Sequence, residues 1–519
     1  MNKRSIVTLI VSILFTIMLV LTLSIGRIST YDESFVYNFN FDFIYIFPLI
    51  FLSCIFYFIF KYISILLSKI NIYESKKVIN RKIIFILSFT TIFLSGLLFL
   101  LTYYPGVGMI DTAQIITNPI LYSNQYPLVY SLVSSFIFNI SFKITNSSNL
   151  SFFILSLTQL IVMTSLISYT IYWFHKKFKS NIISFISIVY FNIFIIFSNL
   201  NVAHLRDTIF SGFILLLLIC LYEIIETKGT YLNNDKNRFK LMLISMLLLF
   251  SRRNALIIIF VLLVILFIKY KKYYKYYIFL GIFSLFIYNL NLFLPSNYPK
   301  KGMYQESVSV PIQQLSYVIK YKNIDDNDKK FLDNIIYTDT INEIYNPFVV
   351  DNIKWNQLFN GYYLTDHKDE FNKIWFKYLK KYPKEYTKAY LLNTYSLWSI
   401  NEYLEYESSF YYIDSGYRSL YNKVILPKKI YKSLNKFYIR FNKYINNGSL
   451  FWIYILLMLL VIYKNKKDYI ILFIPFLTLW LNHMVATPLS SALRYMSPLG
   501  YALPFIIGIV LYKEDKKAL

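Results

Sequence analysis

Along this 519-residue chain, apolar residues run for close to twenty positions again and again, interrupted by short polar loops. A helix rises 1.5 Å per residue, so about 20 such residues cross a hydrocarbon layer of ~30 Å. The runs fall near 6–26, 43–60, 83–104, 151–174, 181–199, 208–225, 239–251, 254–268, 276–294, 449–463, 469–487 and 496–512. They predict an all-α polytopic membrane protein with about twelve transmembrane helices. A further stretch, 127–143, is short and broken by Ser131, Ser134, Ser135, Asn139 and Ser141. It reads as a juxtamembrane or re-entrant helix rather than a full span. From Pro295 to Gly448 the chain turns polar and stays so, which predicts a mostly helical extracytoplasmic domain. Within it, Asp325 and Asp326 ahead of Phe331-Leu332 resemble a helix start, and Pro383 suits the first turn of a helix running through Tyr390 and Trp398. Residues 428–444 alternate basic and aromatic positions at helical spacing. That stretch is either a helix lying on anionic lipid or a solvated helix leading into the next span.

Charge orients the spans. The loop with Lys61, Lys69, Lys76, Lys77, Arg81 and Lys82 is placed in the cytoplasm, because basic loops are retained there. Alternation then puts His175 to Lys179, Lys228 to Arg238, Lys269 to Lys272, Lys464 to Lys467 and the tail Lys513 to Lys517 on the same side, with both termini cytoplasmic. The loop 105–126 falls outside. Counting 127–143 as a crossing would invert everything after it and put these lysines outside. The expected organisation is two additional N-terminal spans (1–82), a transmembrane core (83–294), the polar domain (295–448) and the C-terminal spans with a cytoplasmic tail (449–519). The chain's start, Met1-Asn2-Lys3-Arg4 before a long apolar run, lacks a small-residue cleavage site and reads as a retained span.

Composition narrows the chemistry. Hydrophobic residues make up 56% of the chain and the mean hydropathy is +0.47, which excludes a soluble reading. The net charge of +25 sits largely in loop lysines, so it argues for membrane anchoring and against nucleic acid. Cys54 and Cys220 both lie in apolar runs, and His175, His204, His367 and His483 have no metal-ligand spacing, so neither a disulfide framework nor a structural zinc is expected. With 50 Tyr and 47 Phe, most aromatics carry no individual message.

Charges near membrane depth cost on the order of 2.5–3.5 kcal/mol each on insertion scales, so those that persist have a partner or a task. On the outer side these are Asp111, Arg206 with Asp207, Arg252 with Arg253, and Arg494, with His204, Asn254 and His483 nearby. All fall at outer ends of spans, where one cleft could gather them. The mixture suits transfer of a sugar from a lipid-phosphate carrier. An acceptor hydroxyl needs a carboxylate to take its proton, for which Asp111 is the candidate. The departing polyprenyl phosphate is best held by guanidinium groups, for which Arg252, Arg253 and Arg494 are the candidates. Asp207 and Gln114 are candidates for the acceptor or a second acidic site. Each has a plainer alternative. Asp111 could cap a helix, Arg206-Asp207 could be a local ion pair at the head of a span, and Arg252-Arg253 could anchor lipid headgroups.

The sequence Tyr104-Pro105-Gly106-Val107-Gly108-Met109-Ile110-Asp111, the helix start Tyr126-Pro127-Leu128-Val129-Tyr130, Arg206-Asp207-Thr208, Ser251-Arg252-Arg253-Asn254, Val310 to Leu315, Trp375 to Trp398 and Ala492 to Tyr495 together resemble the GT-C superfamily of multipass glycosyltransferases, in an uncharacterised bacterial branch. The resemblance covers residues 83–512. It implies a GT-C-like core in the cell membrane and a polyprenyl-phosphate-linked sugar as donor. The acceptor it implies is extracytoplasmic, a surface glycan, glycolipid or protein. It also implies inversion, with Asp111 as general base. A divalent cation is used by some members. The first outer loop here carries no Asp-x-Asp pair, and Asp326-Asn327-Asp328 in the polar insert reads as a helix start, so no metal ligand is assigned. Competing readings are a lipid-linked saccharide flippase, for which internal repeats and midplane charges would be expected, and a non-catalytic envelope protein.

Overall fold

The computed structural model describes residues 3–25, 46–108, 110–121, 125–294, 304–400, 425–442, 445–486 and 493–513. Residues 295–303 and 401–424 of the polar insert, 443–444 of the basic aromatic stretch, 514–517 of the tail, and Met109 and Ala492 lie outside that set. Among the described residues every regular element is a helix, and the only β pairings are two isolated bridges, Ile72 with Tyr512 and Val107 with Ala203.

Among the described residues, eight helices are long and apolar enough to cross a membrane: Lys3–Leu23, Ile46–Lys69, Arg81–Thr102, Leu128–Thr145, Ser148–Phe178, Arg206–Glu226, Lys467–Val485 and Leu493–Leu511. A ninth is reached if Asn181–Ile193 and Ile196–Val202, bent by 75°, count as one broken span. The expected twelve differs for a geometric reason. The runs at 239–251, 254–268, 276–294 and 449–463 form helices of 17, 15, 15 and 17 residues, each rising only about 22–26 Å, less than a bilayer core of ~30 Å.

One end of the bundle collects the basic loops. Arg4 donates to Asn465, Lys464 to the Ile70 carbonyl at 2.6 Å, and Lys513 N–H to Ile72 at 2.9 Å. Lys177 pairs with Glu223 and Lys269 with Asp468, while Lys272 reaches Asn233. Every lysine cluster assigned to one side by its sequence, where described, therefore shares one end of the molecule. The helix Leu128–Thr145 has neither end there. It starts beside Tyr126, whose hydroxyl reaches Asp111, and it ends where Thr145 bonds Ser147 and Ser151 at the head of the 31-residue helix Ser148–Phe178. That long helix carries its other end, His175 to Phe178, to the lysine side. Long and apolar enough to span, Leu128–Thr145 packs along the first half of Ser148–Phe178, where Phe138 meets Phe152 and Leu155.

The polar segment 304–400 folds over that opposite end. Helices Ser309–Tyr321, Lys368–Lys381 and Pro383–Asn393 enclose Leu315, Val318, Tyr378, Tyr386 and Leu392, all nearly inaccessible. Pro383 opens its helix, where its missing N–H costs nothing. Trp375 Nε1 donates to Gln314 Oε1 at 2.9 Å. Asp326-Asn327-Asp328 opens the helix Asp326–Asp333, and Asp328 bonds Lys377 and the Tyr378 hydroxyl, as expected of a helix start. The domain is stitched to the bundle where Trp452 Nε1 and Trp480 Nε1 donate to the carbonyls of Trp398 and Leu397 at 2.9 and 2.8 Å. Gly448 permits this, because a Cβ there would overlap the Ser399 backbone. The basic helix Lys428–Asn442 lies against the same end, its Tyr431 ring 6.0 Å from that of Tyr103.

Within the domain, the Lys354 side chain is only 1% exposed and its ammonium lies 3.0 Å from both Glu306 and Asp351, with Ser309 Oγ at 3.1 Å. Burial pulls its pKa down, but the two carboxylates outweigh that and hold it above the ordinary lysine value. Lys354→Met should cost about 3–5 kcal/mol, since it strands two partly buried carboxylates, read as earlier thermal unfolding and faster proteolysis within 304–400. Because the folded pKa is raised, this group's contribution is full below the unfolded lysine pKa of about 10.4 and is lost as pH rises through the folded value. The wild-type advantage over the variant should therefore persist at pH 9 and begin to shrink only above the unfolded value of about 10.4, as followed by melting temperature.

Candidate functional site

Three helix starts meet at the end opposite the lysines: Ile110–Thr117, Arg206–Glu226 and Leu493–Leu511. The backbone places the first against the second. Val107 bridges Ala203, and His204 N–H donates to the Val107 carbonyl at 3.0 Å. Gly106, with φ +142°, lets the loop turn in tightly, where a Cβ would strike Ser156 Oγ. Thr112 then donates to the His204 carbonyl at 2.9 Å, which presents Asp111 toward Arg206. His204 serves as a fastener: its Nε2 meets Ser134 Oγ at 2.9 Å and Tyr130 OH at 3.2 Å.

The Asp111 carboxylate is the accessible member, its side chain 28% exposed. Its Oδ2 faces Arg206 at 3.8 Å and Arg494 at 3.7 Å, both beyond hydrogen-bond length. Tyr126 OH lies 3.2 Å from its Oδ1 and 2.7 Å from Gln114 Oε1, so Gln114 shares the tyrosine with Asp111. Arg206 also stacks over the Tyr126 ring at 4.4 Å, and Arg494 over Tyr495 at 4.6 Å. Both guanidinium groups belong to residues in the first turn of a helix, where the helix dipole disfavours a cation, so their neighbours and not their helices hold them.

Asp207 takes no part in that contact. Its side chain is 2% exposed and its Oδ1 lies 2.9 Å from Arg252 Nε in an ion pair, while the Arg252 guanidinium, 7% exposed, lies over the Tyr495 ring at 5.1 Å. Tyr495 thus joins the buried pair to Arg494. Neighbouring side chains on a helix diverge by about 100°, so Arg206 and Asp207 face different partners and do not form the local pair their adjacency suggested. Burial and the Arg252 contact also leave Asp207 poorly placed to receive an acceptor.

Arg252 and Arg253 separate for a related reason. Arg252 is extended, φ −149° and ψ 133°, at the break between helices Asp235–Ser251 and Ala255–Lys269, and successive side chains on extended backbone point to opposite sides. Arg252 enters the bundle. Arg253 turns away over the Tyr288 ring at 4.8 Å. Of the three arginines assigned to a phosphate by their position, only Arg494 stands beside Asp111. Arg206, Tyr126 and Tyr495 complete the cluster; aromatic abundance hid the two tyrosines, and Arg206, visible as an outer charge, was paired by its sequence with Asp207 instead of Asp111. His483 contributes a ring contact to Tyr495 at 5.3 Å.

A divalent cation does not suit this donor set. The guanidinium groups facing the two carboxylates would repel it, and Asp207 is already neutralised by one of them. An anion suits it better, since Arg206, Arg252 and Arg494 outnumber Asp111 and Asp207 and three helix N-termini add positive potential.

Residues 115–519, over three-quarters of the chain, match the model of a family of unknown function, DUF6020, and the chain belongs to that family. The match begins just after Asp111 and includes Arg206, Asp207, Arg252 and Arg494. No curated protein and no solved structure matches the chain.

Removing either partner of a buried pair typically costs about 3–5 kcal/mol, because the remaining charge is left without its counterion. Asp207→Asn and Arg252→Gln should each lower the melting temperature of the purified protein, and the double variant should be more stable than the sum of the two losses predicts. Strict additivity in that cycle would show the two residues to be uncoupled.

Proposed function

We propose that this member of the family is an integral membrane glycosyltransferase. It moves a sugar from a polyprenyl-phosphate donor to an acceptor on the outer face, a surface glycan, glycolipid or protein, with inversion at the anomeric carbon. The observation that carries this reading is the accessible Asp111 carboxylate, faced by Arg206 and Arg494 at 3.8 and 3.7 Å, at the bundle end opposite the lysine loops. Under the positive-inside rule the lysine end is cytoplasmic, so the site faces outward and both termini face inward. Counting the shorter helices as passages gives about twelve crossings in a GT-C-like core of the cell membrane.

The chemistry follows from the loose contacts. A phosphate competes well for guanidinium groups, and charge-assisted, paired hydrogen bonds to it are stronger than ion contacts of 3.7 Å or more. The arriving donor draws Arg494 and Arg206 onto its phosphate and releases the carboxylate toward the acceptor. Tyr126 and Gln114 keep that carboxylate in place. The acceptor oxygen attacks the anomeric carbon from the face opposite the phosphate, and its proton passes to Asp111. As the new C–O bond forms, the bond from the anomeric carbon to the phosphate oxygen breaks. Its electron pair leaves with the polyprenyl phosphate, whose added charge the arginines hold in a poorly hydrated setting. Arg252 stays on Asp207 and acts by positioning Tyr495 beneath Arg494.

The test is transfer from a radiolabelled polyprenyl-phosphate sugar in proteoliposomes. Asp111→Asn should lower covalent product formation by about 10²- to 10⁴-fold, the usual worth of a general base, with insertion intact. Arg494→Ala should weaken transfer, and Arg494→Lys should recover only part of it because the planar fork is lost. Undiminished transfer by Asp111→Asn overturns the base assignment. Label that crosses the bilayer with no new product would make the protein a flippase.

Sidedness is checked separately. In a variant lacking Cys54 and Cys220, a cysteine replacing Asn118 should react with an impermeant maleimide from outside intact cells, and one replacing Asn465 only after the membrane is opened. The reverse pattern would put the site in the cytoplasm.

A further inference from the structure

The helix Lys428–Asn442 sorts its side chains by face. Lys428, Lys432 and Lys436 stand four residues apart on one stripe, and Ile430 and Leu434, each two residues on, stand about 200° round the helix. Those three lysines and Lys429 are exposed, no acidic residue stands in the first turn, and among the described residues no carboxylate pairs with any of the four. On the apolar side Tyr431 and Leu434 pack against the bundle, but Ile430 is 41% exposed, and Ile425, just ahead of the helix, is 50% exposed. The backbone fixes the height of that uncovered edge. Ile425 N–H reaches the Leu101 carbonyl at 3.4 Å, in the last turn of the apolar helix Arg81–Thr102, whose Leu94 and Leu98 are themselves exposed. Past the other end, Asn446 Oδ1 accepts from Ser449 N–H at 2.7 Å and opens the apolar helix Asn447–Tyr463. A helix about 22 Å long is thus tied at both ends to the mouths of apolar helices, so it lies along the membrane boundary instead of projecting from it.

We infer that Lys428–Asn442 is an interfacial helix seated on anionic phospholipid, with Ile425 and Ile430 at the edge of the hydrocarbon and Lys428, Lys429, Lys432 and Lys436 among the lipid phosphates. Height and charge select that occupant together. A solvated lead-in to the next apolar helix leaves both isoleucines in water at a level where acyl chains are at hand. Lipid covers them, and it supplies phosphates to ammonium groups that no described carboxylate meets, with the lysine stems lying along the acyl boundary. Each lysine at an anionic surface favours the seated state about fivefold. The Tyr431 ring lies 6.0 Å from that of Tyr103, so the seated helix also touches the start of the segment that leads to Asp111. The inference holds whether or not the protein transfers sugars.

The test uses the full-length protein lacking Cys54 and Cys220, with a nitroxide on a cysteine replacing Ile430 or Lys432, in vesicles of equal parts phosphatidylcholine and phosphatidylglycerol. At Ile430→Cys, collisions with oxygen, which concentrates in hydrocarbon, should exceed those with a neutral nickel chelate, which stays in water. At Lys432→Cys the order should reverse. Ile425→Cys should repeat the Ile430 result, and the labelled proteins should melt as their parent does, because all three side chains are exposed. Changing Lys428, Lys432 and Lys436 to Gln in the Ile430→Cys protein, or using phosphatidylcholine alone, should shift that label toward the nickel chelate by about fivefold or more. Equal nickel contact at Ile430 and Lys432 would show a solvated helix. Shielding of Ile430 from both reagents would show a protein cover, and a signal unmoved by lipid charge would remove the anionic headgroup. Each of these results overturns the assignment, and none alters the sugar-transfer assay above, which reads Asp111 and Arg494.

Discussion

The contact between Asp207 and Arg252 sets the electrostatic layout of the whole outer end. Two charges that are almost inaccessible must satisfy each other, because moving either alone out of water costs several kcal/mol even after relaxation. With Arg252 Nε paired to Asp207 at 2.9 Å, Arg206 faces Asp111 at 3.8 Å. Arg494, held over Tyr495, comes to the same carboxylate from another helix. The result is one closed pair and one open one. The closed pair binds helix Arg206–Glu226 to the break at Arg252, and in the open one Arg206 and Arg494 face Asp111 at 3.8 and 3.7 Å.

The two ends of the bundle are electrically opposite in purpose, although both are basic. At the lysine end, Lys464 and Lys466 donate to the carbonyls of Ile70, Ile509 and Tyr512, where helix Leu493–Leu511 finishes. Cations there complement the negative pole of the helix dipole and are quiet. At the other end Arg206 and Arg494 lie at helix starts, against the dipole. A cation so placed raises the local positive potential, and an incoming anion lowers it. That contrast, more than the number of basic residues, distinguishes an anchoring surface from one that recognises an anion.

Much of this was legible along the chain. The apolar runs located the helices, and the lysine clusters correctly predicted a common end, because insertion and orientation are read from the sequence itself. What the runs could not convey was length after capping: Asp235–Ser251, Ala255–Lys269, Tyr274–Tyr288 and Asn447–Tyr463 are shorter than the ~20 residues of a typical crossing. At the site, the unusual charges Asp111, Arg206, Asp207, Arg252 and Arg494 were visible as exceptions, and the structure gathers them. Their pairing was not, since it depends on side-chain direction. One residue of offset separates Arg206 from Asp207 and Arg252 from Arg253, and in both cases local backbone geometry sends the neighbours apart. Tyr126 and Tyr495 could not be singled out among 97 Tyr and Phe residues.

Depth connects these observations to the proposed chemistry. The 21 residues of Arg206–Glu226 run from the site to the lysine end, a rise of about 30 Å, which is the thickness of a bilayer's hydrocarbon core. If the lysines mark one boundary, Asp111 and its arginines lie at the other, level with lipid phosphates. Helix Ser148–Phe178 meets the site near Gln159, which bonds the Ala203 carbonyl, and continues about 16 Å farther. The proposed donor suits that height: a carrier whose phosphate rides level with Asp111, its chain in the hydrocarbon, would meet Arg494 there.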